Sequence, residues 1–171
     1  MKINFNKPKN QYIEYLKYIG VGILAIIFQL FIVRYFEIYN IAPDLLLIIG
    51  VLVAIKEGRF IGLLYVFVMG LLLDIFANDY YGLSSLSKLF AILFAGSFFE
   101  EDKSILILSK FKFLLITLGA SIINNLFFYL FDIRDTNFDF TTYLMYFVIA
   151  NATYTSAIAS FVLVYYSNKR Y

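Results

Sequence analysis

The 171-residue chain is 62% hydrophobic and 20% aromatic, with 15% charged residues and a formal net charge of +2. A soluble domain averages about 45–50% apolar and about 25% charged residues, so a water-soluble core cannot hide this much apolar surface and lipid must be the solvent. The chain has no Cys, His or Trp. That excludes thiol chemistry, disulfides and Cys/His metal sites, and it removes the commonest general base. A carboxylate-based metal or proton site stays open. A net charge this small gives no reason to expect nucleic-acid binding.

The length allows one domain. Residues 1–16 read as a short basic tail with Lys2, Lys7 and Lys9, and residues 17–171 as a single transmembrane domain. The first apolar run is Tyr18 to Val33, extending to Phe36 if Arg34 snorkels. Arg34-Tyr-Phe-Glu37 follows without small residues for cleavage, so the run reads as an uncleaved span. The second run, Leu45 to Ile55, opens on Pro43-Asp44, a natural helix start. It closes on Lys56-Glu57-Gly58-Arg59. Eleven residues rise only ~16 Å against a ~30 Å hydrocarbon core. Either this helix extends past Asp44, or it lies among other helices and need not match the lipid.

The third run, Phe60 to Ala77, is interrupted by Asp74, and the fourth, Leu83 to Phe99, by Lys88. Ile105 to Ser109 is apolar but precedes Lys110 and Lys112, so it is expected at the interface. The fifth run is Phe113 to Phe131 and the sixth about Tyr143 to Tyr166. The expected fold class is therefore an all-α integral membrane protein, a compact bundle of six transmembrane helices. Six spans put both termini on one side. Eleven Lys and Arg fall on that side against two, Arg34 and Arg134, on the other. The positive-inside rule then makes both termini cytoplasmic. Aromatics such as Tyr39, Tyr80, Tyr81 and Tyr143 gather near span ends as an interfacial belt.

Depth follows from helical rise. Counted from Phe60, Asp74 lies ~21 Å from the cytoplasmic boundary, or ~9 Å below the outer one. Counted from Gly82, Lys88 also lies ~9 Å below the outer boundary. Asp44 is twelve residues from Lys56, hence ~18 Å up from the inside. Gln29 and Asn124 come out near the same level, and Asn151 nearer the middle. An ionisable side chain at such depth costs ~2.5–3.5 kcal/mol or more, and it usually faces the bundle interior with a partner. The expectation is a polar layer in the outer half of the membrane. Lys88 pairs with Asp74 or Asp44, and Gln29 and Asn124 hydrogen-bond around them. Such a layer can hold the bundle together, bind an ion or small polar ligand, or dock a partner's transmembrane helix. No phosphate loop, zinc spacing or nucleophile–base set appears. Ser84, Ser85 and Ser87 near Lys88 raise a Ser/Lys dyad, without a second motif to support it. No cofactor is implied.

Pro43-Asp44 at a short second span, Gly70-Leu-Leu-Leu-Asp74 on the third and Gly82-Leu eight residues later resemble, in order and spacing, the rod shape-determining protein MreD family. The likeness runs from Ala42 to Gly96; beyond it only length, span count and orientation agree. Lys88 is not assigned by the family pattern. The resemblance implies a non-enzymatic scaffold in the bacterial cytoplasmic membrane. Its partner would be MreC, a single-span protein with an extracytoplasmic coiled coil. Through MreC it would connect with MreB, RodA and its penicillin-binding transpeptidase. Pro43, Asp44, Gly70, Asp74 and Gly82 would be the family-like residues. The alternative is a small-molecule (vitamin) binding membrane subunit of a transporter. A small membrane enzyme using Asp44 and Asp74 is a third reading.

Overall fold

The computed structural model describes residues 10–37, 41–77, 82–100, 104–108, 111–131 and 144–168. The tail up to residue 9, Asp79, Lys110, the acidic loop 132–139, Lys169 and Arg170, and Tyr39, Tyr80, Tyr81 and Tyr143 of the expected belt lie outside these residues. Among the described residues there are seven α-helices and no strand. They are α1 (Asn10–Phe31), α2 (Leu45–Glu57), α3 (Arg59–Ala77), α4 (Leu83–Ala95), α5 (Ser104–Leu108), α6 (Phe111–Phe131) and α7 (Ala150–Asn168). Four segments, Ile13–Phe31, Arg59–Ala77, Phe111–Leu130 and Phe147–Asn168, are long and apolar enough to cross a membrane.

The second and fourth apolar runs form short helices. Each has 13 residues, a rise of ~20 Å. For α2 the reason is its place in the bundle. Leu46, Leu47, Val51, Val53, Ala54 and Ile55 are wholly buried. It touches α1, α3, α4, α5, α6 and α7. A helix surrounded by helices has no lipid thickness to match. Around it α3, α4, α6 and α7 pack in succession, and α1 lies against α2 and α3. Close approach is set by small residues. A Cβ on Gly50 would run into Val66 Cγ1, and one on Gly62 would sit 2.6 Å from Ala54 Cβ. Between α4 and α6, Phe90 stacks on Phe127 with ring centroids 4.0 Å apart.

Of the four long apolar segments, the one in α1 is the least enclosed, with 17% of its residues buried. Tyr18 ties it down: its hydroxyl donates to Glu57 Oε1 (2.9 Å), and its carbonyl accepts from Tyr65 Oη (3.2 Å). Within the piece expected at the interface, Ser104–Leu108 forms the short helix α5, which packs against α2, α6 and α7 and buries Ile107 and Leu108 in the core. The sixth run starts with a π turn, Leu144–Ile149, before α7.

Candidate functional site

Two irregular pieces of backbone meet at the start of α2: the non-helical residues Ala42–Asp44 and the π turn before α7. Non-helical backbone inside an apolar bundle must have every polar group satisfied by the protein. Side chains do this for the run of groups from Ala42 O to Leu45 N–H. Asn151 Nδ2 donates to Ala42 O (2.9 Å). Gln29 donates from Nε2 to Pro43 O (3.1 Å) and accepts at Oε1 from Leu45 N–H (2.9 Å), bridging the segment as a neighbouring strand would. Asp44 N–H donates to Thr155 Oγ1 (3.1 Å), whose hydroxyl donates to Asn151 Oδ1 (3.2 Å). Asp44 O accepts from Ile48 N–H (3.2 Å), the first turn of α2. Pro43 has no N–H to satisfy.

Asp44 is the N-cap of α2. Its Oδ1 accepts from Leu47 N–H (2.9 Å), and a carboxylate here also meets the positive end of the helix dipole. Its Oδ2 pairs with Lys88 Nζ at 2.8 Å, the two side chains being 12% and 5% exposed. Lys88 Nζ donates a second hydrogen bond to Ser84 Oγ, one turn back on α4 (2.8 Å). An ammonium engaged by a carboxylate and a hydroxyl is held as a donor, a poor arrangement for a serine–lysine base.

Asp74 forms no ion pair with Lys88 but belongs to the same network, because the Ser84 side chain that holds Lys88 Nζ also bonds its carboxyl. Its Oδ2 accepts from Gly82 N–H (3.0 Å) and Ser85 N–H (3.4 Å), so it caps α4 across the α3–α4 turn. Gly82 is the N-cap residue of α4 at φ 91°, a left-handed conformation that a Cβ disfavours. Gly70 lets the two helices cross closely: a Cβ there would lie 2.7 Å from Ser85 Cα. Gly70, Asp74 and Gly82 thus form one device that fixes the α3–α4 hairpin. Pro43 and Asp44 play the matching role at the start of α2.

Asn124 sits beside the ion pair without bonding it. Its Nδ2 donates to Asn125 Oδ1 (3.2 Å), and Asn125 Nδ2 donates to Val148 O in the π turn (3.4 Å). Asn124 Oδ1 is buried with no hydrogen-bond partner among the described residues. A chamber of about 220 Å³ lies here, bounded by Gln29, Asp44, Lys88, Asn124, Asn125 and Asn151 with Phe128 and Phe147. A second, of about 240 Å³, lies on the other side of Lys88 towards Glu37 and Asp74. Thr155, Ser84 and Asn125 were not singled out as cluster members from the sequence. Thr155 had a signal, since it follows Asn151 by one helical turn on the same face. No group of three or more acidic side chains is placed to hold a metal ion among the described residues. The chain matches no family model, no curated protein and no solved structure.

Proposed function

We propose that this chain is a non-enzymatic membrane scaffold of the bacterial cell-wall elongation machinery, related to MreD and maintaining rod cell shape. In this reading it spans the cytoplasmic membrane six times with both termini cytoplasmic. It associates with MreC and, through it, with MreB, RodA and its penicillin-binding transpeptidase, with lipid around it. One observation carries the reading. Pro43, Asp44, Gly70, Asp74 and Gly82, the residues that resemble the family, all serve backbone capping or close helix approach. They specify a bundle and leave no reactive group in the cluster unengaged. Orientation rests on the eleven-to-two basic asymmetry. Co-purification in mild detergent tests the proposal. Recovery of a single-span, coiled-coil protein is the expected result, and repeated recovery of the chain alone would count against it.

A second reading, a ligand-binding subunit of a transporter, is favoured by the chamber beside Lys88. Recovery of an ATPase-coupled partner instead of a coiled-coil one would select it.

A further inference from the structure

We propose that the groove between α1 and α3 holds one acyl chain of an anionic phospholipid, with the Lys56 ammonium meeting its phosphate. The inference needs the chain to span a membrane, and it needs neither the scaffold nor the transporter reading. The groove has a volume of about 330 Å³. One wall is α1 from Tyr15 to Ile19, and the other is α3 from Ile61 to Met69. The two helices meet at Gly22, where a Cβ would lie 2.5 Å from Tyr65 Oη and 3.0 Å from Met69 Sδ. Tyr65 and Met69 also line the groove, so this contact marks one of its ends.

Length, character and charge each point to this occupant. From Ile61 to Met69 the chain advances eight residues, ~12 Å of rise. One leaflet of a ~30 Å hydrocarbon core is ~15 Å deep, so the groove suits an acyl chain. A transmembrane helix needs the full thickness and a bed for a cylinder about 10–12 Å across. No charged side chain lines the groove. The hydroxyls of Tyr18 and Tyr65 are engaged by Glu57 and by Tyr18 O, so these walls offer a guest apolar surface. Ile19, Leu64 and Val68 at the rim are half-exposed, which between membrane helices means exposed to lipid. Charge decides which lipid. Lys56 Nζ lies 5.4 Å from the centroid of the Tyr18 ring, and Tyr18 lines the groove. Lys17, next to Tyr18, is exposed. Neither lysine forms an ion pair among the described residues, and Glu57 is held by the Tyr18 hydroxyl at 2.9 Å. A cation without a counter-charge beside an apolar groove is complementary to an amphiphile with a negative head and an apolar tail.

The chain has no Trp, so a single introduced tryptophan reports contact with brominated lipid, which quenches its fluorescence. Leu64→Trp and Ile19→Trp place reporters on the two walls. Leu115→Trp, on the exposed side of α6, reports lipid away from the groove. The full-length protein is reconstituted in equal amounts of phosphatidylglycerol and phosphatidylcholine, with one or the other brominated in its acyl chains. Both groove reporters should show about a fivefold preference for phosphatidylglycerol, the gain from one lysine near an anionic headgroup. Leu115→Trp should show none. Lys56→Gln should remove most of the preference at the groove reporters and leave their quenching by phosphatidylcholine in place. Groove reporters without a preference would overturn the proposal, as would a preference that survives Lys56→Gln combined with Lys17→Gln. Groove reporters that neither lipid quenches, beside a quenched Leu115→Trp, would show protein covering the groove and overturn it too. Failure of every reporter to be quenched would instead refute the membrane-spanning premise. None of these outcomes bears on which protein co-purifies with the chain.

Discussion

Lys88→Met tests the ion pair at the centre of the bundle. The substitution leaves the Asp44 carboxylate, whose side chain is 12% exposed, beside an apolar neighbour. Removing one member of a buried pair costs about 3–5 kcal/mol. Asp44 keeps its bond from Leu47 N–H, which favours the lower end, about 3 kcal/mol. In a chain of this length that lowers Tm by about 6–12 °C. Asp44→Asn strands the ammonium instead, with Ser84 Oγ as its remaining partner, and should cost a similar amount. In the double variant the asparagine oxygen can still cap α2 and neither substituted position leaves a charge stranded. The two effects should then fall short of additivity by about 2–3 kcal/mol. Thermal unfolding followed by far-UV circular dichroism in mild detergent measures all four species. Lys88→Met combined with Asp74→Asn is the control, and its coupling should be smaller, because the Asp74 carboxylate is engaged by Gly82 and Ser85 N–H. Additive behaviour of Lys88 and Asp44, or stronger coupling of Lys88 to Asp74, would refute the pairing argument.

Asp74→Asn keeps an acceptor for the start of α4 and should cost under about 1 kcal/mol, whereas Asp74→Leu orphans two N–H groups and should cost about 2–3 kcal/mol; equal losses in the unfolding assay would show that capping is not its role. Gly70→Ala places a Cβ 2.7 Å from backbone at Ser85 Cα, which cannot rotate away, and should destabilise by about 1–3 kcal/mol. Gly20→Ala, where nothing lies within 4 Å, should be neutral or stabilise α1 by about 0.5–1 kcal/mol. Thr155→Val removes the acceptor for Asp44 N–H and should cost about 1–3 kcal/mol, with Thr155→Ser restoring most of the loss in the same measurement.

Helix positions were legible because apolar runs of this length have few alternatives, and each of the six runs contains a helix. Depth arithmetic brought Asp44, Lys88, Gln29 and Asn124 to one level. It could not say which carboxylate Lys88 meets. That choice is made by the α3–α4 turn, where Gly82 and Ser85 N–H groups engage Asp74 first. Asn151, counted nearer the middle, lies two residues beyond the π turn that opens the sixth run and donates to Ala42 O beside the pair. Thr155 offered only its one-turn spacing from Asn151: the group it accepts from is the Asp44 backbone N–H 111 positions away, and a backbone group carries no residue-specific signal.

The polar layer makes physical sense once α2 is seen as a helix that begins inside the bundle. A chain entering there in extended form exposes backbone groups that no ladder satisfies, and lipid or apolar side chains cannot supply partners. Gln29, Asn151 and Thr155 supply them. The first turn of α2 then needs a cap, and Asp44 provides it with a full negative charge. A buried charge needs a counter-charge, and Lys88 reaches it from α4 with its own neighbour Ser84. Each polar residue in this sequence of steps is required by the one before, starting from the decision to start a helix away from water. Asn124 is the exception. It neither satisfies the Ala42–Leu45 backbone nor bonds the ion pair; its Nδ2 donates to Asn125 Oδ1, and its buried oxygen has no partner among the described residues. Replacing Asn124 with leucine would remove an orphaned acceptor but deprive Asn125 Oδ1 of its donor, so the residue's place in the layer is its link through Asn125 to the π turn.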